Sequence, residues 1–415
     1  MHRKYYTVNT RFFGGSDPQK LVDKHGSPLY VYNEAILRKC CRDMKNLVPA
    51  EGFTADYSIK ANSNLHILKI VREEGLEADA MSPGEIHVLL QAGFQPDQIL
   101  FVCNNVSADE MRYAVERGVT VSVDSLMQLE TYGRNFPGTK VAVRFNTGYG
   151  AGHHEKVVTA GKKTKFGIND DKADQVISIL RKHNLRLCGI NQHIGSLFME
   201  ESAYVASSEA LLELALRFEG LEFVDMGGGF GIPYRKQDGE RHLELAPFAE
   251  RIGDAIMNFK ARYGNGKMKF KTEPGRYVVA ESCVLLGTVH SVKDNNDITY
   301  VGTDLGFNVL QRPVMYDSHH DIEVYRNGVL TDEGRQTVTV VGNICESGDK
   351  LAVDRTLPLI RQGDVLGVMD AGAYGYSMAS NYNNRLRPAE VMIGLDGSDR
   401  VIRSRDTMED LMRGF

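Results

Sequence analysis

Short apolar runs alternate along the first two thirds of the chain with longer stretches whose apolar residues recur at helical spacing. Runs of this length, bounded by polar or turn residues, are typical of buried β-strands. The stretches between them, such as HILKIVREEG (66–75), often end in glycine, a common C-terminal signal of helices. Eight strands are predicted, at 54–60, 76–82, 98–104, 119–125, 140–146, 185–193, 221–227 and 268–275.

Eight alternations of strand and helix predict an α/β fold with a (β/α)8 TIM-type barrel over residues 28–281, which begins with an additional strand and helix at 29–44. After about residue 282, strands are joined by short turns such as DNND, RNG and RQGD. This texture predicts a C-terminal β-sandwich or β-barrel domain over 282–415. Residues 1–27 also look strand-like and are expected to join that second domain.

Composition excludes several classes of partner. The 415 residues carry a formal net charge of −5 and contain no dense basic run, so nucleic acid is not expected. Nowhere do 18 apolar residues occur in a row, so no membrane span is predicted. No apolar run follows the basic N-terminus, so no secretion signal is predicted. Six scattered cysteines without a CxxC pair indicate reduced thiols and a cytoplasmic protein.

Each predicted barrel strand begins with apolar residues and ends on a polar residue or glycine. The carboxyl ends of barrel strands meet on one face, where TIM-barrel enzymes carry their catalytic groups. We therefore expect a functional site on this face. The endings are Lys60, Ser82, Asn104, Asp124, Asn146, His193, Gly227 and Glu273.

Two of these endings predict a particular cofactor. A lone lysine is usually a solvated surface charge, but desolvation in a barrel mouth would lower the pKa of Lys60 and make its amine a nucleophile towards an aldehyde. The run VDMGGGFGIPY (224–234) lets backbone N–H groups approach a phosphate, although a tight turn is the alternative, and its spacing does not match GxGxxG. An amine nucleophile beside a phosphate pocket indicates pyridoxal 5′-phosphate (PLP).

PLP also needs a carboxylate at its pyridine nitrogen and a group against its ring. TEPGRY (272–277) offers Glu273 for the nitrogen, with Arg276 just after it. HIGS (193–196) offers His193 to stack and the Ser196 hydroxyl for phosphate. A carboxylate at the nitrogen keeps it protonated, so the ring can accept electrons released at the substrate Cα.

An ordered series of motifs then resembles the diaminopimelate decarboxylases, a fold-type III family of PLP-dependent enzymes. The resemblance runs from about residue 28 to 410. It implies decarboxylation of meso-2,6-diaminopimelate to L-lysine and CO2, the last step of lysine biosynthesis. The motifs are DYSIKANSN (56–64), GYGAGHHEKVVTAGKKTKFGI (148–168), QHIGS (192–196), DMGGGFGIPY (225–234), EPGR (273–276), RPVMY (312–316), CESGD (345–349) and DAGAYGYSMASNYNNRLRP (370–388).

The resemblance implies roles for individual residues. Lys60 is similar to the lysine that binds the cofactor covalently, His193 to the histidine on its ring, and Glu273 to the partner of its pyridine nitrogen. Further positions on the cofactor side are Ser196, Gly227, Gly228, Gly229, Gly275, Arg276 and Tyr374. The positions matching substrate contacts are Arg276, Arg312, Tyr316, Glu346 and Tyr374.

The resemblance also implies a homodimer with active sites shared across the interface. In the family, the counterparts of Cys345 and Glu346 enter the site from the partner subunit, with the cysteine as proton donor. Taken without its CESGD context, Cys345 would be read as a small buried apolar residue. Two arginines and Glu346 suit a distal amino-acid head group, whereas ornithine or lysine would leave one arginine unpaired at a cost of about 1–3 kcal/mol.

Other functions are weighed against this interpretation. A related decarboxylase acting on ornithine, arginine, a D-amino acid or a carboxylated polyamine would share Lys60, His193 and Glu273. An alanine racemase would place an arginine at the pyridine nitrogen, and a non-enzymatic regulator of this fold would be expected to lack Lys60 or Cys345. The histidine pairs at 153–154 and 319–320 lack HExxH spacing, so no catalytic metal is expected.

Overall fold

The protein, described by a computed structural model, forms two compact units. The first unit comprises Cys40–Gly231 and His242–Tyr277, and the second comprises the described residues up to Lys39 with Ile232–Arg241 and Val278–Phe415. The predicted domain limits of 28–281 and 282–415 stay a prediction. The residues that the structure describes are 5–148, 151–152, 164–264 and 267–415.

The first unit is a closed barrel of eight parallel strands, which confirms the predicted TIM-type fold. Neighbouring strands pair in chain order, and the eighth strand pairs with the first to close the ring. Each observed strand overlaps a predicted one. Barrel strands 1 to 8 are Phe53–Ser58, Glu77–Ala80, Ile99–Val102, Thr120–Val123, Lys140–Asn146, Arg186–Asn191, Phe223–Gly228 and Lys269–Glu273.

Helices follow the barrel strands, and side-chain caps fix where several of them begin. Asn64, Ser82, Ser107 and Ser125 each accept a hydrogen bond from a backbone N–H of the first turn. Within the described ranges, no helix has the length and apolarity needed to cross a bilayer. The helices are Leu65–Glu73, Pro83–Gln91, Ala108–Val115, Leu126–Asn135, Ala173–Lys182, Ser202–Ala215, Leu245–Tyr263 and the short Arg276–Val279.

The second unit is built on a curled sheet. Leu29–Asn33 lies inside it, antiparallel to Cys283–Asn295 and parallel to Ala389–Ile393. The other strands are Ile298–Thr303, Ile322–Arg326, Val329–Leu330, Gln336–Val341, Lys350–Leu357, Val365–Val368 and Asp399–Arg403. Its helices are Tyr6–Thr10, Pro18–His25, Arg312–Tyr316 and Met408–Met412, together with the start of Glu34–Lys45.

The N-terminal segment differs from its prediction. The strand-like appearance of residues 1–27 is wrong for the described part, because Tyr6–Thr10 and Pro18–His25 are helices. The second of these is capped by Asp17, whose side chain accepts a hydrogen bond from the N–H of Lys20. Pro18 at the first helical position has the backbone angle that a helix requires, so this local start signal outweighs the strand-like composition.

A buried ion cluster ties three barrel strands together. The ammonium of Lys271 on strand 8 lies 2.9 Å from the Asp56 carboxylate on strand 1 and 2.6 Å from Glu77 on strand 2. Burial raises the pKa of Asp56 to about 7, against the lowering effect of the lysine charge. Removing the cation would leave the buried Asp56 without its ion-pair partner, whereas Glu77 would keep Lys269, 2.7 Å away.

We expect Lys271→Met to lower the free energy of unfolding by about 3 kcal/mol, because breaking one side of a buried ion pair is costly. The matched control is Lys140→Met on strand 5. Its pair with Glu222 spans 3.5 Å between half-exposed side chains, so it should change stability by less than about 1 kcal/mol. Urea unfolding of both variants measures the difference. Equal small losses would contradict the role of the cluster.

Candidate active site

Lys60 lies two residues after barrel strand 1, in a single 3-10 turn formed by Ile59–Ala61. The chain after strand 8 lies against this turn. The N–H of Ser58 donates to the carbonyl oxygen of Pro274 at 3.1 Å. Gly275 also fits there, because a Cβ at that position would lie 2.9 Å from the Cβ of Ser58. The two ends of the barrel seam therefore fix the position of Lys60.

His193 follows barrel strand 6 and presents a neutral imidazole. Its Nδ1 accepts a hydrogen bond from the N–H of Gly228 at 3.2 Å, which leaves the ring proton on Nε2. The Nδ1 atom is 3.5 Å from Oε2 of Glu273, too long for a strong hydrogen bond. Burial lowers the pKa of His193 to about 4, against the raising effect of Glu273. The ring is therefore uncharged near neutral pH.

Glu273 ends barrel strand 8 as a buried, ionised carboxylate. Burial raises its pKa, whereas the hydrogen bond and charge that a protonated His193 would supply and the charges of Lys60 and Arg144 lower it below its usual range. Its Oε1 atom is buried and has no hydrogen-bond partner among the described residues. A charged oxygen of this kind suits a donor that carries positive charge, such as the protonated ring nitrogen of PLP. On this observation the site fits the expected cofactor.

Two further buried carboxyl groups accompany Glu273. Burial raises the pKa of Asp79 and of Asp225 well above the usual range, and the charge of Glu273 raises both further. Three carboxyl groups this close cannot all ionise in a dry environment, so Glu273 carries the negative charge of the group. Arg144 is the buried counter-ion. Burial lowers the pKa of Arg144, whereas Glu273 and the neighbouring acids raise it.

The sequence analysis missed Asp79, Arg144 and Asp225. The available signal was an ionisable residue inside an apolar barrel strand, since buried charges in such strands are rare unless paired. Asp79 lies within strand 2, Arg144 within strand 5 and Asp225 within strand 7. The sequence analysis considered only the strand endings.

Three glycines allow very close backbone contacts beside these groups. A Cβ on Gly227 would lie 2.2 Å from the carbonyl oxygen of Gln192, and one on Gly228 would lie 1.9 Å from that of Glu273. Gly229 has a φ of +113°, a backbone conformation that side chains rarely permit. Glycine at these positions therefore allows the backbones around strands 6, 7 and 8 to pack closely at this end of the barrel.

The glycine N–H groups differ from the sequence prediction. The N–H of Gly227 donates to Oδ1 of Asp225 at 2.9 Å, and that of Gly228 donates to His193. Neither of these two N–H groups is thus left to face an anion. Nearby, Arg276 donates through Nη2 to the Ser196 hydroxyl at 2.8 Å, which brings a cation and a hydroxyl together.

In the second unit, Arg312 is buried with 2% of its surface exposed. Its Nη1 donates to Nε2 of His320 at 2.8 Å, and the guanidinium lies 4.5 Å from the centre of the Tyr234 ring. His320 in turn donates through Nδ1 to the carbonyl oxygen of Met369 at 2.7 Å. This chain of contacts orients the guanidinium. Of the two histidine pairs considered in the sequence analysis, the pair at 319–320 is thus bonded within the protein, since His319 also bonds to Asp321. The pair at 153–154 lies outside the described residues.

Cys345 and Glu346 lie in the loop that precedes Lys350–Leu357. All six cysteines fall in the described ranges and are free thiols, and Cys345 alone among them is exposed. Tyr316 ends the helix Arg312–Tyr316. Tyr374 has a φ of +57°, which is uncommon for a bulky residue and typical of functional sites.

The predicted residues therefore form two groups. The first unit brings one group together at the carboxyl ends of its strands: Lys60, His193, Ser196, Gly227, Gly228, Gly229, Glu273, Gly275 and Arg276. The second unit carries the others: Arg312, Tyr316, Cys345, Glu346 and Tyr374.

Comparison with known proteins gives consistent matches. Residues 34–280 match the family "Pyridoxal-dependent decarboxylase, pyridoxal binding domain". Diaminopimelate decarboxylase of Methanothermobacter thermautotrophicus is 41% identical over 97% of this chain and 94% of the relative. That of Escherichia coli K12 is 34% identical over 95% and 94%. The crystal structure of the Helicobacter pylori diaminopimelate decarboxylase complexed with L-lysine is 30% identical, covers 95% of this chain and 98% of its own, and has a TM-score of 0.86.

We expect Gly228→Ala to reduce the fraction of the purified protein that retains PLP, because its Cβ would push strand 7 away from Glu273. Absorbance of the cofactor after gel filtration measures retention. The control is Gly253→Ala in the helix Leu245–Tyr263, where the nearest atom is 3.8 Å away. The control should retain PLP fully and lose no stability. Equal retention in the two variants would contradict a requirement for glycine beside Glu273.

Proposed function

Because the chain belongs to the diaminopimelate decarboxylase family of pyridoxal-dependent decarboxylases, we propose that it converts meso-2,6-diaminopimelate to L-lysine and CO2. One observation from the structure supports this most directly. Glu273 is an ionised carboxylate, and its buried Oε1 atom has no hydrogen-bond partner among the described residues. It lies in the barrel mouth that also holds Lys60 and the neutral ring of His193.

PLP, when bound, supplies an electron sink for the pair of electrons left at the substrate Cα when CO2 departs. We assign Lys60 to its covalent attachment, the neutral His193 ring to its face, and Glu273 to its ring nitrogen. The ionised carboxylate keeps that nitrogen protonated. We assign the surroundings of its phosphate to Ser196, Gly227, Gly228, Gly229 and Tyr374, although the N–H groups of Gly227 and Gly228 already bond within the protein. Gly275 and Arg276 are assigned to the cofactor side of the site.

Loss of CO2 requires a proton to return to Cα, and we assign this step to the thiol of Cys345. A thiol is mainly protonated near neutral pH, so it can donate without prior activation. The exposure of Cys345 agrees with a group that must reach a substrate.

Substrate choice is assigned to the charges at the distal end of the molecule. Arg276 and Arg312 supply guanidinium forks for a carboxylate, and Glu346 supplies a carboxylate for an ammonium. Tyr316 and Tyr374 complete the proposed set. A substrate without the distal carboxylate would leave a guanidinium unpaired, which costs about 1–3 kcal/mol. The similarity to chains named diaminopimelate decarboxylase favours this assignment over a decarboxylase for ornithine, arginine, a D-amino acid or a carboxylated polyamine.

We further propose a cytoplasmic homodimer in which Cys345 and Glu346 serve the active site of the partner subunit. The family resemblance supports the shared site. An exposed thiol is kept reduced most readily in a reducing compartment, which supports the cytoplasm.

Incubation of the PLP-loaded protein with meso-diaminopimelate, L-ornithine, L-lysine, L-arginine and D-lysine tests the proposed reaction. We expect CO2 and L-lysine from meso-diaminopimelate alone, and loss of this activity in Lys60→Ala, because the substitution removes the amine that holds the cofactor. Circular dichroism of Lys60→Ala controls for folding. Turnover of another amino acid in place of meso-diaminopimelate would contradict the substrate, and silence with all five would favour a non-enzymatic regulator.

Mixing two inactive variants tests the shared site. If Cys345 serves the partner's site, Lys60→Ala and Cys345→Ala place both lesions in the same site of a mixed dimer, so the other site contains neither. Random exchange of subunits at equal amounts should restore about a quarter of wild-type activity, since half of the dimers are mixed and each has one intact site. A mixture that stays inactive after subunit exchange, verified by native mass spectrometry, would contradict sharing.

A further inference from the structure

Two loops of the second unit are joined by hydrogen bonds that the proposed reaction does not yet use. We call residues 343–349, which include Cys345 and Glu346, the acid loop, and residues 381–385 the support loop. The Tyr382 hydroxyl donates to Oε1 of Glu346 at 2.6 Å. The N–H of Cys345 donates to Oδ1 of Asn383 at 2.8 Å. Adjacent residues of the support loop thus hold adjacent residues of the acid loop.

Tyr382 is itself held in place. Its ring stacks on Phe307, with the ring centres 5.7 Å apart and an interplanar angle of 22°. The N–H of Phe307 donates to Oδ1 of Asp349 at 2.7 Å, and the N–H of Ile344 donates to Oδ2 of the same carboxylate at 2.8 Å. Asp349 therefore fixes both the platform under Tyr382 and the start of the acid loop.

Asn383 adopts a left-handed backbone conformation, with a φ of +55°. Asparagine tolerates this conformation better than most residues because its short side chain can bond locally. Asn381 stabilises the support loop, because its Nδ2 donates to the carbonyl oxygen of Arg385 and to Oδ2 of Asp406, both at 2.9 Å. Arg385 also donates to the carbonyl oxygen of Asn343 at 3.1 Å.

We propose that Tyr382 and Asn383 are positioning residues for the substrate-binding carboxylate and the proton donor. Tyr382 holds the carboxylate of Glu346 for the distal ammonium of the substrate, and Asn383 holds the backbone of Cys345 for delivery of the proton to Cα. This inference rests on the proposed function.

The physical reason lies in the exposure of the acid loop. Within the single chain Cys345, Glu346 and Tyr382 are all exposed, so packing inside their own subunit does not fix their side chains. A carboxylate on a flexible stem loses rotamer freedom when it binds an ammonium, and prior fixation reduces that loss. The phenol–carboxylate bond is charge-assisted and hence strong, and it raises the pKa of Tyr382 so that the phenol remains a donor.

The two contacts predict different kinetic effects. Tyr382→Phe keeps the ring on Phe307 and removes only the hydroxyl, so KM for meso-diaminopimelate should rise about tenfold with kcat within about twofold. Asn383→Gly keeps the left-handed backbone and removes the acceptor, so kcat should fall about tenfold with KM within about twofold. Asn383→Asp retains an acceptor oxygen and should restore most of kcat.

Matched controls test whether these effects are specific. Tyr300→Phe removes a hydroxyl from the strand Ile298–Thr303, and Asn327→Gly replaces another left-handed asparagine, with a φ of +51°. Both should leave kcat and KM unchanged. In a Glu346→Gln background, Tyr382→Phe should change KM by less than about twofold, because its partner is already altered.

Hydrogen exchange supplies a measurement that does not depend on activity. The amide of Cys345 should exchange about tenfold faster in Asn383→Gly than in the wild type, because its acceptor is lost. If the wild type is active and both variants have its kinetics, the positioning roles alone are overturned. The same holds if Tyr382→Phe changes kcat as much as KM. A wild type inactive on every substrate would overturn the proposed function, and this inference with it.

Discussion

A single negative charge, kept ionised inside the barrel, is the constraint around which the candidate site is organised. Burial by itself would neutralise Glu273. The barrel opposes this with Arg144 and Lys60 as nearby cations, while Asp79 and Asp225 remain protonated and do not compete for the charge. The closed ring of strands makes this arrangement possible, because it brings residues from strands 2, 5, 7 and 8 to one interior.

The glycines and His193 serve the same constraint through shape. Gly228 lets strand 7 approach the backbone of Glu273, and its N–H fixes the tautomer of His193. The neutral imidazole does not form an ion pair with the Glu273 carboxylate, and it makes no hydrogen bond to Oε1 of Glu273. The rigid part of the site is thus built from backbone contacts that only glycine permits, while the exposed acid loop depends on hydrogen bonds from its neighbour.

The sequence predicted what is local or carried by motifs. The eight strands followed from their apolar starts and polar ends, and Lys60, His193 and Glu273 followed because strand endings share a face. Arg144 could not be found in this way, since its role depends on which charged groups the ring closure brings near it. The bond between Tyr382 and Glu346 joins positions 36 residues apart, which no periodicity encodes. The helix Pro18–His25 was missed because a cap and a proline outweighed composition.

The contrast between one exposed thiol and five buried ones has a consequence for the chemical durability of the protein. Oxidants reach accessible sulfur first, so within the single chain Cys345 is the cysteine most open to conversion into a sulfenic acid or a mixed disulfide. Either product lacks the thiol proton that the proposed reaction consumes. The barrel and its cofactor pocket would survive such an event intact. The working lifetime of the protein would therefore depend on the cellular reductants that return this one sulfur to its thiol form.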